Sequence, residues 1–418
     1  MKKTLIALAA VAAVSAATAD VSITGYVDRG YSSINNTNSQ ANLATIGSLA
    51  GTTGIFFKGN ETLNSDLNAV FSVETDYADN AGTTQANALG NNQLAGFANG
   101  ENYIGLISKS LGTVKLGDPN SFMLGTVTGI GSPAFGTGYG SAYSSGFSIF
   151  NGIGTGVSGS GLAGTAQMSV ATTSTTAVTG ARDIRLANTI QYTTPSFSGL
   201  TASIGFAPQN NVVTNATGNT VGAQEINLTY TAPSFTVAYD SMKYSVGTLG
   251  TYQGTLTGAA AGSASAPGTA AAVASLTANI LADVKNGAAV TNYTNTHNFF
   301  GGTYVVNDSI KLHGGYGNFT SSDNYAVGRS TQVGATYRTG AWEFMAQDVQ
   351  VQDSNSGVAS SNAVVQLNRS NLSVGANYWF SKTTRAYARY ENMNFGTNVT
   401  SFAGSSQTRS GLGISTSF

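Results

Sequence analysis

Three groups of residues in this chain have types and spacing that could do chemistry. Two glycine runs, GTGVSG (154–159) and GSGLAG (159–164), match the G-x-G-x-x-G pattern that cradles a dinucleotide pyrophosphate. Asp183 lies about 20 residues further on, where a ribose-binding acid would stand. That chemistry needs a helix whose N-terminus faces the phosphates, and only Ser-, Thr- and Ala-rich sequence follows. A chain with 52 glycines supplies such matches by chance. The second group is His297 and His313, the two histidines of the chain. Without carboxylates of matching parity they make a poor metal or catalytic pair. Serine is too common to single out a hydrolase nucleophile. There is no cysteine, which removes thiolate metal sites, thiol nucleophiles and disulfides. The expectation is no enzyme, no metal and no cofactor.

The third group is a sparse set of charges whose chemistry is electrostatic selection of ions. Only 9% of residues are Asp, Glu, Lys or Arg, against roughly 25% in an ordinary soluble domain. The formal net charge is −1, so no basic surface points to nucleic acid. Aromatics at 10% argue against disorder. Ser, Thr, Gly and Asn displace helix formers, while Tyr, Phe, Val, Ile and Thr favour strands.

Strands must therefore position the charges. In DLNAVFSVETDY (66–77), Leu67, Ala69, Phe71 and Val73 alternate with Asn68, Ser72, Glu74 and Asp76. This period of two marks a strand with one apolar and one polar face. LTASIGFAP (200–208), NLSVGANYWF (371–380) and the closing TRSGLGISTSF (408–418) repeat it. Seven short turns, at 60–66, 108–112, 194–199, 232–234, 306–308, 338–340 and 380–384, alternate with eight longer polar segments. Together they connect sixteen predicted strands. In lipid no backbone polar group can go unpaired, so such a sheet must close on itself. The reading is an all-β, 16-stranded antiparallel transmembrane barrel with short periplasmic turns and long extracellular loops. The last strand, ending at Phe418, then pairs with the first, VSITGYVDRGYSS (21–33). A secreted Gly/Ser/Thr-rich adhesin or surface-layer protein is the competing reading, and the strand count, loop asymmetry and terminal Phe count against it.

The N-terminus has Lys2 and Lys3, an apolar run from Leu5 to Val14, and Ala17-Thr18-Ala19, the form of a cleaved export signal over residues 1–19. The run is shorter than the roughly 20 residues that span a bilayer. The barrel would then occupy 20–418, with long loops at 118–182 and 245–295. The stretch 269–285 puts Val273, Leu276, Ile280 and Val284 on one helical stripe within the second of these.

The segments GTTGIFFKGNETLNSDLNAVFSVE (51–74), NYIGLISKSLGTVKLGDP (102–119), NTIQYTTPSFSGL (188–200) and FSKTTRAYARY (380–390), with the terminal Phe, carry a family resemblance. They resemble strands of the general porins of Gram-negative bacteria, in the branch of Neisseria and its beta-proteobacterial relatives. Ile55, Phe57, Lys58, Gly59, Glu61, Leu67, Ala69, Phe71 and Glu74 fall on one family motif. Gly105, Leu106, Leu111, Gly112, Thr113, Leu116 and Gly117 fall on the next. The resemblance implies a homotrimer in outer-membrane lipid, each barrel passing small hydrophilic solutes and ions. It also implies that the 118–182 loop folds inward as a constriction. Gly54 and Asp118 stand where the family has arginines that help line that constriction.

Parity turns Lys58, Lys115, Arg185, Arg385, Arg389 and Arg409 toward the lumen, with Glu74, Asp76 and Glu391 nearer the outer rim. Asp118 sits at the root of the long loop, and residues 119–181, most of that loop, carry no Asp, Glu, Lys or Arg. The expected outcome is a general diffusion porin with a weak preference for anions; a substrate-selective porin on the same scaffold is the alternative. A deletion joining Val246 to Asn295 is expected to leave channels open in planar bilayers. Loss of all conductance with trimers intact would assign the 269–285 stretch to the channel.

Overall fold

The computed structural model describes residues 20–36, 43–77, 97–98, 100–142, 188–212, 220–246, 293–321, 326–355, 365–366, 369–395 and 406–418. The export signal, Arg185, most of the 118–182 loop and the 269–285 stretch lie outside the described residues. No helix among the described residues is long and apolar enough to cross a membrane.

Sixteen strands close into one antiparallel barrel. They are β1 (Asp20–Asn36), β2 (in two pieces, Leu43–Gly47 and Gly54–Thr62), β3 (Leu67–Asp76), β4 (Asn102–Ser108), β5 (Gly112–Asp118) and β6 (Thr189–Thr193). There follow β7 (Leu200–Val212), β8 (Thr220–Thr231), β9 (Phe235–Val246), β10 (Tyr293–Val305) and β11 (Ile310–Ser321). The last five are β12 (Ala326–Thr339), β13 (Trp342–Asn355), β14 (in two pieces, Val365–Gln366 and Arg369–Trp379), β15 (Thr384–Phe395) and β16 (Ser406–Ser417). Each strand pairs with its neighbours in sequence, and β1 pairs with β16 from Tyr26↔Ser417 to Asn36↔Gln407. β1 runs on to Asn36, and the short piece Leu43–Gly47 pairs with Gly30–Ile34. The second piece of β2 pairs with Asp20–Tyr26, and the residues between the pieces leave the ladder.

The two faces are inverted relative to a water-soluble sheet. Ile23, Ile104, Leu116, Ile204, Ile226, Val333, Leu372, Leu412 and Ile414 are exposed on the outside. Asn227, Gln332, Gln347, Asn371, Asn377 and Gln407 are buried inside. A continuous exposed apolar surface of this kind fits lipid, not water. Beside the short turns, Trp342 stacks on Phe344 with centroids 5.8 Å apart and meets Tyr378 edge-on at 4.9 Å; Phe380 continues the row 5.3 Å from Tyr378. This is the aromatic girdle of the periplasmic interface. Adjacent turns are tied together there: Asp66 accepts the Ser108 hydroxyl at 2.6 Å and the Ser110 amide at 3.0 Å. The Ser108 hydroxyl is the main cause that holds the Asp66 carboxyl below its ordinary range.

The final residue belongs to the seam. Phe418 N donates to Gly25 O at 3.1 Å, and Gly25 N donates back to Phe418 O at 3.0 Å. The ring covers Gly25 so closely that a Cβ there would stand 2.4 Å from its Cζ. Deleting Phe418, or replacing Gly25 with Val, is expected to lower the yield of folded barrel. The readout is the fraction of heat-modifiable species on a cold gel; an unchanged yield from both variants would deny the seam its role.

Candidate functional site

The interior is occupied by the segment that follows β5. Ser121 caps a one-turn helix, Phe122–Leu124, by accepting Leu124 N at 3.0 Å. It passes into a π-helical run, Gly125–Ile130, steadied by Thr126 and Thr128 hydroxyls donating to Phe122 O and Leu124 O at 3.0 and 2.6 Å. Met123, Val127, Phe135 and Ala142 of this segment are buried. The apolar side chains fill space, but they do not hold the segment in register.

Wall carboxylates and amides do that. Glu225 on β8 accepts Met123 N at 2.7 Å. Glu101, just before β4, accepts Asn120 N at 3.1 Å. Glu391 on β15 accepts Gly140 N at 2.8 Å. Between these points Asn227 donates to Thr126 Oγ1 at 2.9 Å and Gln332 to Val127 O at 3.1 Å. Ser132 donates to Gln347 Oε1 at 2.5 Å, and Thr303 to Ile130 O at 2.6 Å. Hydrogen bonds from backbone N–H to an ionised acceptor are about twice as strong as neutral ones. A run with little regular structure needs such partners to satisfy its backbone away from water.

The residues singled out from the sequence divide into several groups. Lys58 is exposed on the lumenal face of β2, 5.2 Å from the Phe56 ring centroid. Arg385 lies 5.1 Å from the Trp379 ring centroid and donates to Ser415 Oγ at 3.1 Å and to the Tyr26 hydroxyl at 3.3 Å. Lys115 sits over Tyr103 at 4.3 Å and pairs with Glu101 at 3.8 Å. Glu74 accepts Glu101 N at 2.7 Å. Arg409 is buried against Glu391 and over the Tyr139 ring at 4.4 Å. Arg389 shares the lumenal parity but is only 3% exposed. Its guanidinium donates to Ala376 O, Ala388 O and Asn377 Oδ1 at 3.2, 2.8 and 2.9 Å, under Phe135 and Tyr387. It supports the inner segment and is not a wet pore-lining charge.

Asp118 departs from the expected lumenal position. It shares the parity of lipid-facing Leu116, and its carboxylate accepts Asn188 N at 2.9 Å, pinning the start of β6 to the end of β5. The two histidines take the inner face and are buried, and His313 Nε2 lies 3.3 Å from Gln347 Oε1. No cluster of potential metal ligands occurs among the described residues.

A closed 16-strand barrel with a lipid-facing apolar band, a polar interior and an inward-folded segment describes a channel. A family model for Gram-negative porins matches residues 4–398. The chain belongs to the Gram-negative porin family. Among solved structures, this porin is similar to the anion-selective porin from Comamonas acidovorans, at 18% identity over 96% of this chain and 100% of that one, with a TM-score of 0.65. It is similar to OmpF of Salmonella typhi at 14% identity, over 95% and 97% of the two chains, with a TM-score of 0.58. The trimer form of OmpT, an outer membrane protein of Vibrio cholerae, gives 13% identity, coverage of 96% and 100%, and a TM-score of 0.57. At these identities the likenesses speak for fold alone. No curated protein matches the sequence of this porin.

Sequence reasoning missed several residues of the porin interior, chiefly Asp28, Glu225, Asn227, Gln332 and Gln347. A signal was present for some. In AQEINLTYT (223–231), Glu225 and Asn227 alternate with Ile226, Leu228 and Tyr230, which fixes their face. The partner of each was not readable, because it lies far away in the chain: the Glu391 bond to Gly140 spans 251 residues. Removing one member of a buried ion pair typically costs about 3–5 kcal/mol, because the other charge stays buried and unpaired. Glu391→Ala is expected to destabilise the barrel by about that amount, with Glu391→Ala/Arg409→Ala recovering part of the loss. Thermal unfolding in detergent measures both, and an additive double variant would contradict the coupling.

Proposed function

We propose that this protein is an outer-membrane diffusion porin that passes ions and small hydrophilic solutes, with a weak preference for anions and no catalytic activity. Residues 1–19 serve as a cleaved export signal, three copies assemble as a homotrimer, the 118–182 loop narrows the pore, and the 245–295 loop is extracellular. The trimer form of the Vibrio cholerae protein supports the assembly as an analogy of fold. The inward contacts of residues 120–140 support the narrowing.

The observation that carries the selectivity is an unequal use of charge. Lumenal carboxylates are engaged as acceptors: Glu225, Glu101, Glu74 and Glu391 take backbone N–H groups. Glu343 accepts from Asn377 at 2.6 Å. Lys58 and Arg385 have no carboxylate partner among the described residues and rest on aromatic rings instead. Engaged carboxylates still contribute to the field, but those packed between wall and inner segment lie off the aqueous path, while the two cations border it. In a narrow lumen with low-dielectric walls, a few such charges decide ion preference.

A reversal potential across a KCl gradient is expected to show a mild anion preference. Lys58→Glu and Arg385→Glu should each move it toward cations, and together should move it further. Clear cation selectivity of the unaltered protein would reject the charge assignment. A second reading, a substrate-selective porin, draws on the pairing of Arg385 with Trp379 and of Lys58 with Phe56, which would suit organic anions. A conductance series with added sugars and organic acids separates the two: partial block confined to organic acids favours the second.

A further inference from the structure

Residues 48–53 leave the wall of the barrel and turn inward between the two pieces of β2. Their fold rests on Asp28, an inward-facing residue of β1 that is fully buried. One carboxylate oxygen, Oδ2, accepts three successive backbone amides: Leu49 N at 2.7 Å, Ala50 N at 2.6 Å and Gly51 N at 3.1 Å. Consecutive N–H groups converging on one anion form a nest. The other oxygen accepts the Tyr387 hydroxyl from β15 at 2.5 Å.

The gap in the wall is closed from outside. Arg29, on the opposite face of β1, donates to Asp28 O at 2.7 Å, Thr53 Oγ1 at 2.9 Å and Ser48 Oγ at 3.2 Å. Thr53 Oγ1 also accepts Asp28 N at 3.0 Å. These side-chain bonds stand in for ladder bonds that the excursion removes, as a membrane wall requires.

The inward turn is seated in a socket built to its shape. A Cβ on Gly30 or Gly411 would stand 2.7 or 2.6 Å from Leu49 Cδ1. Leu49 and Ala50 pack with Tyr387 and Tyr139. Tyr139 N donates to Leu49 O at 2.7 Å, so the far end of the inward segment hangs on this turn. Gly138 passes so close that a Cβ would stand 2.5 Å from Leu49 O.

We propose that residues 48–53 form a fixed ledge that positions residues 138–140 and, with them, limits the cross-section of the pore. Asp28 is the positioning residue: it touches no permeating ion and acts by holding the ledge. This inference rests on the reading of the chain as a diffusion porin. It adds a limiting element that comes from the wall itself and is held by a carboxylate.

Three measurements test it on the full-length protein in detergent and in planar bilayers. Asp28→Ala should raise single-channel conductance above the parent value, because a ledge released from its anchor no longer narrows the passage. Asp28→Asn keeps one carbonyl acceptor for the amides and should stay near the parent value, a rescue that a general packing defect would not show. Should Asp28→Ala fail to assemble, Leu49→Gly empties the socket with Asp28 in place and carries the same expectation. The third readout does not depend on channel activity. The chain has no cysteine, so Leu49→Cys/Tyr139→Cys should cross-link readily on oxidation, and adding Asp28→Ala should suppress that cross-link. Parent-like conductance and undiminished cross-linking in the Asp28→Ala background would overturn the ledge. Absence of any conductance in the parent, with cross-linking behaving as expected, would instead reject the porin reading and leave the ledge standing.

Discussion

The interior of this barrel depends on one interaction, a wall carboxylate accepting a backbone N–H from a segment that has left the sheet. Asp28, Glu101, Glu225 and Glu391 each do this, at 2.6–3.1 Å, on separate strands or strand ends. An inward segment without sheet partners has amides with nowhere to go, and a buried unpaired amide costs about 1–3 kcal/mol. An ionised carboxylate has only acceptor capacity and can serve several amides at once. Three such groups fix the charge-free segment 120–140, and Asp28 fixes the turn at 48–53 beside it. The same choice commits these carboxylates to backbone amides, while Lys58 and Arg385 rest on aromatic rings.

The wall obeys a different constraint. On the outside there is no water to satisfy a stray N–H or C=O, so the sheet closes and β16 meets β1. Where the ladder is interrupted, polar side chains fill in, as Arg29, Ser48 and Thr53 do. The apolar band and the girdle of Trp342, Phe344, Tyr378 and Phe380 are then free to meet lipid. Lining and wall are thus stabilised by opposite means: charge-assisted hydrogen bonds within, apolar exposure without.

This division explains what could be read from the sequence. A strand's two faces are written in its local alternation, so the strands, the short turns and the seam at Phe418 were legible. So were the faces of Lys58, Lys115, Arg385, Arg389 and Arg409. Parity does not say how deep a side chain lies or what it touches. Arg389 therefore looked like a wet lining charge, although Phe135 and Tyr387 cover it. Asp118 was placed by its position at the root of a loop, and its parity with Leu116 was the better guide. The turn at 48–53 was hidden because SLAGTT has the composition of any surface loop. Its anchor, Asp28, was hidden because one acid in an alternating strand carries no local mark of the amides it will hold.

The lining also has a place in time. Residues 119–142 emerge from the chain long before the strands that hold them. Gln332, Gln347 and Glu391 lie 205 to 251 residues downstream of their partners, and Tyr387 lies 359 residues beyond Asp28. Contacts of such separation must wait for loop closure and form late. The outer cylinder can take shape strand by strand through neighbouring hairpins, whereas the inner surface has no complete seat until β15 has arrived. The inner surface is accordingly the last part of the molecule to acquire its shape.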